Sequence, residues 1–175
     1  MVFARKACQK GLATKAAERV WEAMIRPRLE YGSEIWHIGK EQEMERLQLQ
    51  YGKALLGVGK SCASEVVRGE LGWWRLASRA DFIRLKFWAR VSRMPNNRLT
   101  KQVLVQRMKE SSDKPGSWCY RTRQSLLSIN LQQMWHNPML PPNWERELKA
   151  RLQDRERDNW KQCVQGKAKL ELYSK

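Results

Sequence analysis

The chain has 175 residues, enough for one domain or for one domain with an appendage, and 42% of them are apolar, with nine Trp among the aromatics. That content excludes wholesale disorder and predicts a buried core. With 34 Lys and Arg against 18 Asp and Glu, the net charge of +16 favours polyanionic partners, nucleic acid first, because each phosphate neutralised by a cation releases condensed counterions.

The N-terminal stretch MVFARKACQKGLATKAAERV is broken by Arg5, Lys6 and Lys10, and no apolar run approaches the roughly 20 residues of a membrane span. Neither a secretory signal nor an anchor is expected, which predicts an intracellular protein of the nucleus or cytoplasm. Cys8, Cys62, Cys119 and Cys163 are scattered singly and only His37 and His136 accompany them. Zinc-ligand spacing is absent, and reduced, partly buried thiols are expected.

From Thr14, apolar residues at Ala17, Val20, Trp21, Met24, Ile25 and Leu29 follow helical spacing. Pro27 should kink or divide this helix, which should end near Tyr31 before Gly32 and Ser33. Trp21, Tyr31 and Trp36 read as core aromatics. A second helix carries Met44, Leu47, Tyr51, Leu55 and Val58 as a narrow seam, has acids in its first turn, and ends at Gly57 and Gly59. The GVGK that follows is not a P-loop, since the upstream glycine of that motif falls at Ala54 and no strand pattern precedes it.

A short helical turn with Val66, Val67 and Leu71 comes next, punctuated by Gly69 and Gly72. Ser78 and Asp81 have the spacing of a capping box for the longest central helix. At about 100° per residue, Arg79, Lys86, Arg90 and Arg93 fall within a stripe roughly 60° wide. Ala80, Ile83, Phe87, Val91 and Met94 lie to one side of it, and Leu85, Trp88 and Ala89 to the other. The expectation is a helix gripped on two flanks with a cationic ridge between them. Residues 75 to 125 hold 13 Lys and Arg against 3 acids, whereas residues 1 to 74 hold 12 against 9, so most of the excess charge is local to this region.

After the Pro95-Asn96-Asn97 turn, an amphipathic helix is expected to bury Leu99, Val103, Leu104 and Met108. Beyond the loop Ser111 to Gly116, Ser117 is a candidate cap, and Trp118, Leu126, Leu127 and Leu131 are expected anchors. The prolines of 137–143 break helix. A final helix from Trp144 alternates Glu with Arg, has thin apolar content, and is expected to project or fray. Strand signals are nearly absent. The prediction is an all-α irregular bundle of five to seven helices: a helical basic domain over 1–136, a Pro-rich linker at 137–143, and a charged C-terminal helix over 144–175.

Catalytic equipment is sparse. Two histidines, no spacing that suggests a Ser/His/Asp or Cys/His arrangement, and no two adjacent acids leave no candidate catalytic, metal or cofactor residues. The candidate nucleic-acid contacts are Arg79, Lys86, Arg90, Arg93, Arg98 and Lys101, with Trp74 of the Trp73-Trp74 pair as a surface on which a base could stack.

Four stretches, RPRLEYGSEIW (26–36), LQLQYGKALLGV (47–58), EVVRGELGWW (65–74) and RLKFWARVSRM (84–94), occur in an order and at separations that resemble the region downstream of the polymerase core in non-LTR (LINE-type) retrotransposon reverse transcriptases. The resemblance spans about residues 10 to 110 and is strongest over 26–94. It implies a helical, thumb- or linker-like segment that helps to hold template RNA and primer DNA beside the polymerase portion. The polymerase of that family needs an Asp-Asp metal motif, and this chain has no Asp-Asp pair. It also lacks the Cys/His knuckle present towards the end of many such proteins. By itself, then, it is expected not to polymerise but to act as a fragment or domesticated remnant. Its expected partners are RNA or an RNA–DNA duplex, with no small-molecule substrate and no membrane. The alternative from a different class is a helical protein–protein interaction module with incidental basic charge.

Overall fold

The computed structural model describes residues 14–36, 41–136, 140–165, 167 and 170. The N-terminal stretch with Cys8, and also His37, Asn137 to Met139 and Gly166, lie outside these, as do the side chains of Trp36 and Glu41. All regular structure among the described residues is helical. In chain order the elements are α1 (Thr14–Val20), a π-helical turn (Trp21–Ile25), α2 (Arg26–Glu30), α3 (Ser33–Trp36), α4 (Glu41–Leu55), α5 (Ser64–Leu71), α6 (Leu76–Ser92), α7 (Leu99–Ser111), α8 (Trp118–Leu127), a 3-10 turn (Gln132–Trp135) and α9 (Trp144–Gln165). The described residues form two compact units, one drawn from 14–32, 41–77 and the chain from 158 on, the other from 33–36, 78–136 and 140–157.

The first unit is built on an aromatic cluster. Trp21 stacks on Trp73 with ring centroids 5.0 Å apart and tilts against Tyr51 at the same distance. The Tyr51 hydroxyl donates to the Ala17 carbonyl at 2.8 Å, which lets a phenol sit buried without an orphaned polar group. Pro27 explains the π turn beneath this cluster. Its ring would collide with the carbonyl four residues back in a regular helix, and widening the preceding turn, with the Arg26 N–H reaching the Trp21 carbonyl, avoids the clash without breaking the rod. The chain turns at Tyr31, as the sequence suggests, but Tyr31 and Met24 are exposed and do not join the core.

Along α4 the buried stripe is Met44, Gln48, Tyr51 and Leu55, not the expected seam containing Leu47 and Val58. These four lie within about 60° of one another, whereas Leu47 falls to the side of the stripe and Val58 lies beyond the helix end. Gln48 is tolerated inside because its Nε2 donates to the Trp74 carbonyl at 3.0 Å. Gly52 permits the close approach of α5: a Cβ there would stand 2.7 Å from Val67 Cγ1. Gly72, at φ +60°, closes α5 with its N–H on the Arg68 and Gly69 carbonyls. Glu45 salt-bridges Arg68 at 2.8 Å and also accepts from the Ala77 N–H at 3.1 Å, so an acid from another helix caps the start of α6. The C-terminal part of α9 completes this unit, with the Trp160 indole donating to the Glu65 carbonyl and Lys167 pairing with the Glu65 carboxylate, each at 2.8 Å.

The second unit has its own aromatic centre. Trp88 of α6 stacks on Trp135 at 6.0 Å and tilts against Trp144 at 6.2 Å, and Leu85, Leu126, Leu131, Leu148 and Leu152 of the same unit are essentially solvent-free. At about 1.5–3 kcal/mol for each large apolar side chain fully buried, Trp144, Leu148 and Leu152 fix α9 firmly. The expectation of a projecting or fraying final helix therefore fails: its apolar residues are few but fall every four residues on one face.

Ser78 and Asp81 do not form a capping box. Helix α6 begins two residues before Ser78, and both side chains turn to tertiary partners. Ser78 Oγ donates to Glu156 at 2.6 Å, and Asp81 accepts from Arg84, from Ser125 Oγ at 2.9 Å and from Arg155 at 2.8 Å. This network ties α6, α8 and α9 together around Arg84, a cation only 6% exposed. Ser117 does cap α8, accepting from the Tyr120 N–H at 3.0 Å, but Leu127, an expected anchor, is half exposed.

Candidate nucleic-acid interface

Helix α6 positions the ridge. Its buried residues, from Leu76 and Ser78 through Ala80, Arg84, Leu85, Trp88 and Ala89 to Val91, span an arc of about 220°, so the two expected flanks are the edges of one broad packed face. Arg79, Lys86, Arg90 and Arg93 lie on the opposite arc. Arg79 is half-buried, Lys86 is intermediate, and Arg90 and Arg93 are exposed. The Lys86 ammonium lies 2.8 Å from the Glu145 carboxylate and 5.4 Å from the centroid of Phe82. The Arg90 guanidinium lies 5.2 Å from the Phe87 centroid. Arg93 donates to the Pro141 carbonyl at 3.1 Å. Cations lodged against ring faces and carbonyls lose side-chain freedom.

Three of the ridge cations, Lys86, Arg90 and Arg93, line one cleft of about 550 Å3 within the second unit, together with Phe82, Phe87, Ala89, Trp144 and the acids Glu34 and Glu145. Arg79, Arg98, Lys101 and Trp74 are not in its lining. Lys101 is spent on the fold: its Nζ donates to the Ser92 carbonyl at 2.6 Å and caps the C-terminus of α6. Trp74 belongs to the first unit and is half-buried, so neither member of the Trp73-Trp74 pair is an exposed stacking platform.

Helix α7 carries cations that the ridge pattern missed. Only Leu104 and Ser111 are buried on it, with Lys101 and Met108 half-buried along the same stripe. Leu99 and Val103, expected in the core, fall about 120–160° from that stripe and are exposed. The exposed face also bears Arg107 and Lys109, with Arg98 just before the helix and Lys114 just after it. Residues 90 to 114 carry seven Lys and Arg against two acids, and that local charge excess, not helical spacing, was the available signal. Inward from this face, burial pushes the Cys119 thiol above its ordinary pKa, against the opposing charge of Arg107.

Among the described residues no three His, Cys, Asp or Glu side chains gather to hold a metal ion, and no helix is long and apolar enough to cross a membrane. The Arg84 and Arg155 guanidiniums at Asp81 pair with protein groups and hold helices together. No family model matches the chain, and neither does any curated protein or solved structure.

Proposed function

We propose that this chain is a non-catalytic, helical nucleic-acid-binding segment that grips the phosphates of RNA or of an RNA–DNA duplex. The observation that carries this reading is the run of exposed cations Arg90, Arg93, Arg98, Arg107, Lys109 and Lys114, contributed by the end of α6, by α7 and by its flanking turns. Such contacts position a strand without reading its sequence. The four motifs similar to the post-polymerase region of non-LTR retrotransposon reverse transcriptases give this grip a context: a thumb- or linker-like element inside the cell, in nucleus or cytoplasm, holding template RNA and primer DNA for a polymerase portion located elsewhere. Polymerisation itself is assigned to that other portion.

Fluorescence anisotropy with a labelled single-stranded RNA and an RNA–DNA duplex, titrated at salt from 50 to 200 mM, tests the reading. Six phosphate contacts at about −0.7 each give a slope of log K against log salt near −4 for a single strand, or a roughly 300-fold loss over that range. Absent binding at 50 mM salt, or a flat salt response, overturns it. The exposure of Leu99 and Val103 on α7 favours one second reading, a protein-docking face. Under it, Leu99→Ser with Val103→Ser abolishes capture of a partner, while Gln at Arg90, Arg98 and Arg107 leaves capture unchanged.

A further inference from the structure

We infer that the cleft beside the cationic ridge binds one unstacked nucleotide, guanine in preference to uracil, an inference that rests on the nucleic-acid reading and specifies which unit of the strand is held. A volume of about 550 Å3 lies inside the range of about 300–1,000 Å3 for small-ligand clefts. Its walls divide by chemistry. Half-buried Phe82 and Phe87 supply the apolar lining, each ring carrying a cation, Lys86 and Arg90 respectively, whose exposed side a base can stack on. Arg90 supplies an exposed guanidinium held against Phe87 and suited to phosphate.

The two acids separate this cleft from a plain phosphate groove. A surface built only to grip a polyanion gains nothing from carboxylates, which repel it. Glu145 is neutralised by Lys86 at 2.8 Å. Glu34 is not: its backbone carbonyl accepts from the Trp118 indole N–H, fixing α3 against α8, while its carboxylate has no partner among the described residues. A carboxylate that no described residue pairs, in a cationic, aromatic cleft, matches a base edge with adjacent donors. Guanine presents an N1–H beside an N2 amino group, whereas uracil presents a single N–H between two carbonyl oxygens that the carboxylate repels.

The test uses the full chain, calorimetric titration with GMP, UMP and ribose 5-phosphate, and anisotropy with a labelled 12-nucleotide RNA in parallel. GMP is expected to bind about tenfold more tightly than UMP or ribose 5-phosphate, the effect of a charge-assisted hydrogen bond pair. Glu34→Gln is expected to erase the preference for GMP over UMP, and Arg90→Gln to weaken GMP about tenfold, with circular dichroism unchanged in both. If RNA binds but the three small ligands bind equally or not at all, the cleft inference is overturned and the phosphate-gripping function stands. If the RNA also fails to bind, both fall. Tight binding of ribose 5-phosphate alone would make the cleft a phosphate site and equally overturn base recognition.

Discussion

Replacing Asp81 with Ala removes the common acceptor of a buried network and strands two arginines. Breaking a buried ion pair from one side costs about 3–5 kcal/mol, because the remaining charge keeps its desolvation penalty without its partner. The side chains of Asp81 and Arg155 are 19% and 18% exposed, against 7% for Arg84, so water can reach two of the three groups. Arg84 would retain Ser125 Oγ at 2.8 Å, and Arg155 would retain the hydroxyls of Ser78 and Ser128. These survivors place the expected loss at the lower end, about 3 kcal/mol. In urea, with a slope of about 2.5 kcal/mol/M, the unfolding midpoint should fall by about 1 M. Adding Arg84→Met should restore part of the loss, since the double variant no longer buries the stranded guanidinium. A shift below about 1 kcal/mol for Asp81→Ala would show that Asp81 is not the hub of the second unit.

Gly52→Ala gains about 1 kcal/mol of helix propensity but drives a methyl to 2.7 Å from the fully buried Val67. A net destabilisation of about 1–2 kcal/mol is expected, read from thermal unfolding; a stabilised variant would mean that α4 and α5 can separate freely. The Glu65 carboxyl feels burial, which raises its pKa, but the hydrogen bond and charge of Lys167 and the nearby Arg68 outweigh it and hold the pKa below its ordinary value. The stability this pair contributes is therefore present above the unfolded pKa of about 4.3 and is lost as pH falls through the depressed folded value. Denaturation midpoints measured down to pH 3 should show this decline, and Lys167→Gln should flatten it. Alkylation at pH 8 followed by peptide mapping should mark the exposed Cys163 ahead of the half-buried Cys62, and reach Cys119 only on unfolding, because its thiol is buried and its pKa raised.

Periodicity and punctuation alone determined the all-helical class, the turn at Tyr31, the end of α4 near Gly57 and the Ser117 cap, because each depends on residues within a turn or two of one another. The cationic arc of α6 was legible for the same reason: a helix fixes which side chains share a face before anything packs on it. What periodicity cannot supply is which face finds a partner. Leu99 and Val103 have core spacing, yet α7 is covered on the opposite side. Leu148 and Leu152 look thin in a run of Glu and Arg, yet they are fully buried. Ser78 and Asp81 have capping spacing, but arginines 74 residues or more distant in the chain, or on the same helix, bind them better than the orphan N–H groups do. The cleft was invisible in the sequence because Glu34, the α6 ridge and Glu145 lie far apart along the chain. Charge and spacing determined where the cations concentrate along the chain; only tertiary packing decided which of them remain exposed, because burial depends on neighbours that are remote in sequence.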